Sequence, residues 1–88
     1  MNQKERAALR QTLAGIDVAT LMAAQSAIAE AAEAEREKFD GLTEGLQVTQ
    51  SGQRIEAMAD LLEEQAADLE SAIDAIEQVI CSLEGELF

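Results

Sequence analysis

The chain has 88 residues and a formal net charge of −12, and this length limits it to one domain. Such an acidic surface argues against broad binding to nucleic-acid phosphates or to anionic membranes. The chain has no run of 18 consecutive apolar residues, which argues against a membrane-spanning helix. The single Cys81 excludes an internal disulfide and suits a cytoplasmic location.

Residues 4–40 are predicted to form one continuous helix, because strong helix formers dominate this segment. Two apolar stripes run along it. The first stripe comprises Leu9, Leu13, Ile16, Ala19 or Thr20, Ala23, Ala27 and Ala34. The second comprises Ala14, Val18, Leu21, Ile28, Ala32 and Phe39. A helix that packs against one partner needs only one apolar stripe, so the two stripes of this helix predict neighbours on two sides. Gly15 is expected to allow close packing without breaking the helix.

Residues 41–51 form the predicted connector, where glycines cluster. Gly41 is expected to end helix 1 in a left-handed conformation, which glycine adopts without a steric penalty. Ser51 is expected to cap the next helix through its hydroxyl group. The apolar residues of the connector are expected to cover the end of the helical core: Leu42, Leu46 and Val48.

Helix 2 is predicted over residues 52–87 from a seven-residue repeat. The repeat comprises Ile55, Leu62, Leu69, Ile76 and Leu83, followed four residues later by Ala59, Ala66, Ile73, Ile80 and Leu87. This period predicts a left-handed coiled-coil seam, and the short connector lets the two helices pair antiparallel. The fold class is therefore all-α, a long helical hairpin. Since a hairpin has little core, hairpins are expected to associate as a homo-oligomeric bundle, a dimer or a tetramer.

The available side chains argue against catalysis and against a cofactor. The chain contains no histidine, tyrosine or tryptophan, so the commonest general base and metal ligand are missing. Glu30, Glu33 and Glu37 share one helical face but are expected to point into solvent, without the histidine that usually accompanies paired metals in bundles. No metal site and no enzymatic activity are predicted.

The connector end has one possible ligand site. Backbone N–H groups at the start of helix 2 suit a bound anion, and three basic residues lie close to the connector in sequence. The predicted ligand contacts are Arg36, Lys38, Phe39, Ser51, Gly52 and Arg54. In the alternative interpretation, Arg36 and Lys38 pair with nearby glutamates.

The acidic face of helix 2 has two interpretations. Negative charges spaced along a rod can imitate a DNA backbone and occupy a basic groove in a protein. The same charges can simply keep a small oligomer soluble. Asp60, Glu64 and Asp68 are the residues expected to contact a partner on this face.

The segment EKFDGLTEGLQVTQSGQRIEAMADLLEEQAADLESAID resembles a family of small acidic phage and prophage proteins, mostly without an assigned activity. Their connector reads close to KFDNLPEGLQ. The matching residues are Lys38, Phe39, Asp40, Leu42, Glu44, Gly45, Leu46 and Gln47. Gly41 and Thr43 depart from the family's asparagine and proline. The resemblance implies a phage accessory protein that acts in the host cytoplasm, by binding a host protein or by sequestering a signalling nucleotide.

The leading hypothesis is a non-enzymatic binding protein that inhibits a bacterial host or defence factor by occupying it. Its expected contact surfaces are the connector, through Leu42, Leu46 and Val48, and the acidic face of helix 2. The first alternative is a sponge that holds an anionic cyclic nucleotide at the connector end. The others are a structural assembly subunit and an acidic DNA mimic. None of these requires direct binding to nucleic acid or to a membrane.

Overall fold

The computed structural model describes residues 1–87, which form a long helical hairpin without a strand. Its helices are α1 (Gln3–Ala14), α2 (Val18–Asp40), α3 (Glu44–Gln47) and α4 (Gln50–Leu87). α1 and α2 follow each other along one side, and α3 forms the turn that leads into α4. The molecule measures 68 × 15 × 15 Å. The prediction of an all-α fold with long helices joined by a short connector is confirmed.

The prediction of one continuous helix over residues 4–40 is wrong, because the helix stops at Gly15 and restarts at Val18. Asp17 starts the second helix by accepting hydrogen bonds from the backbone N–H of Thr20 at 3.1 Å and from its hydroxyl at 2.6 Å. An aspartate in this position satisfies a backbone donor that the first turn leaves unpaired. Gly15 itself keeps a right-handed conformation, with φ −76°.

The break also changes which apolar residues face α4. Leu9 and Leu13, from one predicted stripe, and Val18 and Leu21, from the other, are all half-buried. Leu13 and Val18 are five residues apart, and an unbroken helix would rotate them away from a common side. The interruption therefore joins the two stripes into a single contact with α4.

The seam between α2 and α4 follows the predicted seven-residue repeat and is built on small residues. Its buried apolar side chains are Ala32, Ala59, Ala66 and Ile73. Ile55, Leu62, Leu69, Ile76, Ile80 and Leu83 are half-buried. Alanine occupies the alternate core positions 59 and 66 in the half of α4 nearer the connector, and isoleucine occupies 73 and 80. Alanine lets two helices approach closely, but it buries little area. Among the described residues Ile73 is the one buried side chain larger than alanine, so the core is thin.

One polar contact crosses this seam. Gln25 lies on the core side of α2, and its Nε2 donates to the backbone carbonyl oxygen of Ala66 at 3.4 Å. A polar group in a coiled-coil core favours one register over others because a shifted register would leave it unpaired. Gln25 therefore helps to fix how α2 and α4 are aligned.

The segment Gln3–Asp40 contains an 18-residue window with a mean hydropathy of 1.3, which is long and apolar enough to cross a membrane. Counting consecutive apolar residues did not reveal this window. The core helix of a soluble protein and a signal sequence near the N-terminus pass the same test, and none of this window is fully buried in the hairpin. The window by itself assigns no location.

We expect Ala59→Leu to destabilise the hairpin by about 1–3 kcal/mol, because Ala59 is 0% exposed and a larger side chain would force the helices apart. The matched control is Ala57→Leu on the exposed side of the same helix, which should stay within about 0.5 kcal/mol of the parent. Urea unfolding followed by circular dichroism measures both. Equal effects of the two substitutions would contradict the close approach of α2 and α4.

We expect Asp17→Ala to lower the Tm at neutral pH by removing the cap of α2. The hydrogen bonds from the Thr20 hydroxyl and N–H lower the pKa of Asp17 below its ordinary 3.8. A carboxylate whose pKa is lower in the folded state stabilises the fold at a pH above its unfolded-state pKa. This contribution is lost as the pH falls through its folded-state pKa. The Tm difference between parent and variant should therefore shrink below about pH 3.8.

The control for this prediction is Asp74→Ala, which removes the same charge from an exposed position on α4. Its effect on the Tm should be smaller at neutral pH. If both variants melt alike across the titration, Asp17 does not cap α2.

Candidate functional site

The connector end is a turn that polar side chains hold in place. Thr43 caps α3, since its Oγ1 accepts from the N–H of Leu46 at 3.4 Å. Thr49 Oγ1 donates to the carbonyl oxygen of Leu46 at 2.6 Å and accepts from the N–H of Gly52 at 3.1 Å. Thr49 therefore caps α4, and the prediction of Ser51 is wrong, because α4 begins at Gln50 and Ser51 lies exposed in its first turn.

Two glutamines join the connector to the long helices. Gln47 Nε2 donates to the carbonyl oxygen of Phe39 at 3.1 Å, and Gln53 Nε2 donates to the carbonyl oxygen of Gln47 at 2.8 Å. These bonds attach α3 to the end of α2 and to the start of α4. The sequence places Gln47 in the phage-like connector but gives neither glutamine a hydrogen-bonding role, because the partners of both are set by the folded turn.

Gly41 turns the chain without the left-handed conformation that was predicted for it. Its φ is −76° and ψ −11°, and its N–H donates to the carbonyl oxygen of Glu37 at 3.0 Å. No described residue has a positive φ. The connector changes direction with short right-handed turns because α3 begins only three residues later.

Gly52 is buried where α3 crosses the start of α4. A β-carbon at this position would lie 2.8 Å from the carbonyl oxygen of Gln47 and closer still to that of Leu46. The glycine is needed for this close approach of two backbone segments. Its N–H already binds Thr49, so the predicted free donor for an anion is occupied.

The three apolar connector residues have different environments. Leu42 is half-buried, which is compatible with the predicted cover over the end of the core. Leu46 is 51% exposed and Val48 is 76% exposed, so the prediction that they also cover the core is wrong. The hydrogen bonds of Thr43 and Thr49 hold this backbone with both side chains directed into solvent. They form an apolar tip, defined here as Leu46 and Val48.

Arg36 binds across the hairpin to carboxylates of α4. Its Nε and one terminal nitrogen donate to the two oxygens of Glu63 at 3.0 Å each, and the same terminal nitrogen donates to Asp60 at 2.5 Å. Hydrogen bonds to Glu63 and then to Asp60 raise the pKa of Arg36 above its ordinary value. Arg36 is half-buried, but both carboxylates are exposed and water screens the pairs, so they align the helices more than they stabilise them.

The structure does not bring the three predicted cations together at one anion site. Arg36 is held by α4, and Lys38 binds Glu35 on its own helix at 2.7 Å. Arg54 is exposed and forms no ion pair within residues 1–87. Phe39 is half-buried, which reduces the ring surface available for stacking. The alternative interpretation, in which Arg36 and Lys38 pair with carboxylates, describes this end better.

The acidic residues of α4 are divided between pairing and exposure. Asp60, predicted to contact a partner, is engaged by Arg36, whereas Glu64 and Asp68 are exposed without an ion pair in the described part of the chain. A row that sequence reasoning missed follows one edge of α4 at seven-residue intervals. It comprises Glu56, Glu63, Glu70, Glu77 and Glu84, and the seven-residue repeat itself was the signal that could have found it.

A shallow groove of about 540 Å³ lies beside the Arg36 cluster. Its floor is apolar and consists of alanines from both helices: Ala29, Ala32, Ala66 and Ala67. Its walls carry Glu33, Glu63 and Glu70. The groove contains no nucleophile and no histidine, so its chemistry is limited to contact with a basic or small apolar group.

The remaining chemistry in the described residues is sparse. No group of three or more His, Cys, Asp or Glu side chains in residues 1–87 is close enough to hold a metal ion. Glu30, Glu33 and Glu37 are exposed, as expected from the pattern of α2. Cys81 is an exposed thiol near the end of α4. The residues that stand out are therefore those of the connector and the flanks of the hairpin.

No protein-family model, curated protein or solved structure matches this chain. The resemblance of the connector to phage proteins stays a prediction. Functional inference therefore depends on the surfaces of the hairpin itself.

We expect Gly52→Ala to destabilise the protein by about 2 kcal/mol or more, because the new methyl group would overlap two carbonyl oxygens of the connector. Gly45→Ala is the matched control. Nothing lies within 4 Å of its new methyl group, and removing a helical glycine should be neutral or stabilise by about 0.5 kcal/mol. Thermal unfolding of both variants measures the difference. A tolerated Gly52→Ala would show that the connector does not pack on α4 as described.

Proposed function

We propose that this chain is a non-enzymatic binding protein that self-associates as a helical bundle and occupies a partner protein with its connector end. The observation that carries this proposal is the apolar tip, in which Leu46 and Val48 are 51% and 76% exposed on a firmly bonded turn. The partner is a bacterial host or defence factor, and the site of action is the host cytoplasm, as the phage-like connector implies.

The rigidity of the turn supports this assignment. A binding surface that is already ordered loses little conformational entropy when a partner docks. Gln47 and Gln53 hold the backbone beneath the tip, and Gly52 keeps it against α4. Exposed apolar side chains on such a frame are better suited to recognition than to solubility, since solvent contact disfavours them.

The chemistry of the chain supports a role without catalysis. The sequence has no histidine, and the pKa shifts found in the described residues belong to a helix cap and to the Arg36 cluster. Catalytic sites usually combine a cleft with titratable groups whose pKa values are shifted. Occupying a partner needs only shape and surface chemistry, which the connector end supplies.

The nucleotide-sponge alternative has less support. Two of its three cations bind carboxylates, and the N–H of Gly52 binds Thr49. Arg54 remains as one exposed cation, while tight recognition of phosphate usually combines several donors. A role as a structural assembly subunit is compatible with self-association but leaves the apolar tip unexplained.

The DNA-mimic alternative also has less support, on grounds of charge density. The ten acidic residues of the 38-residue α4 provide about one negative charge per 6 Å of helix, at 1.5 Å per residue. Duplex DNA carries one charge per about 1.7 Å of its axis. Arg36 further neutralises part of this acidic surface at Asp60 and Glu63.

We expect the double variant Leu46→Asp, Val48→Asp to lose its partner protein. Tagged parent and variant would be used for affinity capture from host-cell lysate, with the bound proteins quantified by mass spectrometry. Two charges at the centre of an apolar contact should reduce the captured partner by at least about tenfold. Circular dichroism checks that the fold is kept.

The matched control is Met22→Asp, which places a charge on a methionine that is 47% exposed on α2, far from the connector along the chain. Its capture should equal that of the parent. If the same proteins are captured equally by all three, the connector end is not the contact surface.

A further inference from the structure

One flank of the hairpin is apolar and has no partner in the structure. We call it the neutral flank. It comprises Thr20, Ala24, Ala27, Ala31 and Ala34 on α2 and Met58, Leu61, Gln65, Asp68, Ala72, Ala75, Val79 and Ser82 on α4. All of these residues are exposed, and Met58, Leu61 and Val79 are 46%, 48% and 57% exposed. Asp68 is its single charged residue and lies at its outer edge.

The seven-residue register places these residues together on one side. Arg36 and Glu63 meet on one side of the seam, at equivalent positions of the repeat. The opposite side of the same core is bordered by the repeat position that precedes Ala59 and its equivalents. On α4 this position is occupied by Met58, Gln65, Ala72 and Val79. On this side Ile16 also lines an apolar groove of about 310 Å³ with Ala75 and Val79.

The two flanks of α4 differ strongly in charge. The flank that faces Arg36 carries the row of five glutamates from Glu56 to Glu84. Two copies of a molecule with a net charge of −12 would repel each other through that row. The neutral flank is the surface where a second copy can approach without stacking carboxylates.

The charges that border the neutral flank differ between its two ends. Lys38 and Arg54 lie at the connector end, and Asp17 and Glu86 lie at the other end. Asp17 and Lys38 share one repeat position on α2, whereas Glu86 continues the position of Met58 and Arg54 that of Leu61 on α4. Lys38 already binds Glu35, and Asp17 caps α2, whereas Arg54 has no ion pair within residues 1–87. A second copy in the reversed orientation would place its acidic end opposite this basic end and its basic end opposite this acidic end.

We infer that the neutral flank binds a second copy of this chain in an antiparallel arrangement, related by a two-fold axis at the level of residue 70. Arg54 and Glu86 lie 16 residues on either side of that level, so each Arg54 faces the partner's Glu86. Leu61 and Val79 lie nine residues on either side and also face each other. A parallel pair would instead bring both copies of Lys38 and Arg54 to the same end.

The register of the hairpin supports this position of the axis independently. The midpoint between Asp17 and Lys38 on α2 is at residues 27 and 28. Arg36 lies opposite Asp60 and Glu63, and Gln25 reaches Ala66, so this midpoint lies opposite roughly residues 64–71 of α4. The level indicated by α2 therefore overlaps the level indicated by α4.

The available area is close to what a stable dimer needs. From Arg54 to Glu86 the flank and its borders run about 48 Å along α4 at 1.5 Å per residue, and across the 15 Å width of the molecule this gives about 700 Å². Each partner in a stable interface buries roughly 800 Å². A hairpin with four buried apolar side chains has much to gain from such burial. This inference rests on the self-association proposed above and names its surface and geometry.

The test is disulfide trapping between two single-cysteine proteins, one tagged, in a Cys81→Ser background. Mixing Leu61→Cys with Val79→Cys and oxidising gently should yield a mixed disulfide in the antiparallel dimer. A mixed disulfide between Leu61→Cys and Ala34→Cys would instead indicate the parallel arrangement, in which α4 of one copy faces α2 of the other. Light scattering on the unmodified protein should give twice the 9.4 kDa chain mass.

A charge exchange supplies the second readout. We expect the dimer to weaken by about tenfold with either Arg54→Glu or Glu86→Arg, because the two-fold symmetry makes each contact occur twice. A chain that carries both substitutions should dimerise like the parent. A parent that scatters as a single chain would overturn both the self-association and this interface. A dimer that forms the Leu61–Ala34 disulfide, or neither disulfide, would keep the self-association and overturn the antiparallel neutral-flank geometry.

Discussion

The close approach of α2 and α4 is the constraint on which the rest of the structure depends. Ala32, Ala59 and Ala66 keep the seam narrow, and Gly52 continues it into the connector. A narrow seam leaves most large apolar side chains only half-buried, because two thin helices cannot enclose them. The exposed apolar surface of this molecule is therefore a direct result of how its core is built.

The long helices and their register could be predicted from the sequence because a seven-residue repeat encodes both. The break at residues 15–17 could not be predicted from apolar periodicity, since strong helix formers continue on both sides of it. It depends on Asp17, whose side chain competes for the backbone donors of α2. Aspartate followed three residues later by threonine is a weak local signal that the stripes concealed.

The candidate site was predictable in part. The connector stood out by its glycines and apolar residues, but the directions of Leu46 and Val48 depend on hydrogen bonds that form only in the folded turn. Proximity in sequence grouped Arg36, Lys38 and Arg54, whereas helical geometry separates them. Arg36 and Lys38 are two residues apart and so point to nearly opposite sides of α2. Charge partners across a hairpin follow from register, which has to be known before they can be paired.

The interruption between α1 and α2 has a consequence for the order in which the chain folds. A helix of 12 residues is marginal by itself in water, so α1 depends on contact with α4 to persist. Closing the connector brings α2 and the start of α4 together across a short loop, which costs little entropy. Folding therefore loses the least chain entropy when the helices begin to pair at the connector and continue outward. In this order α1 packs last and opens first. The two ends of the molecule therefore differ in local stability, and the connector end is the more persistent one.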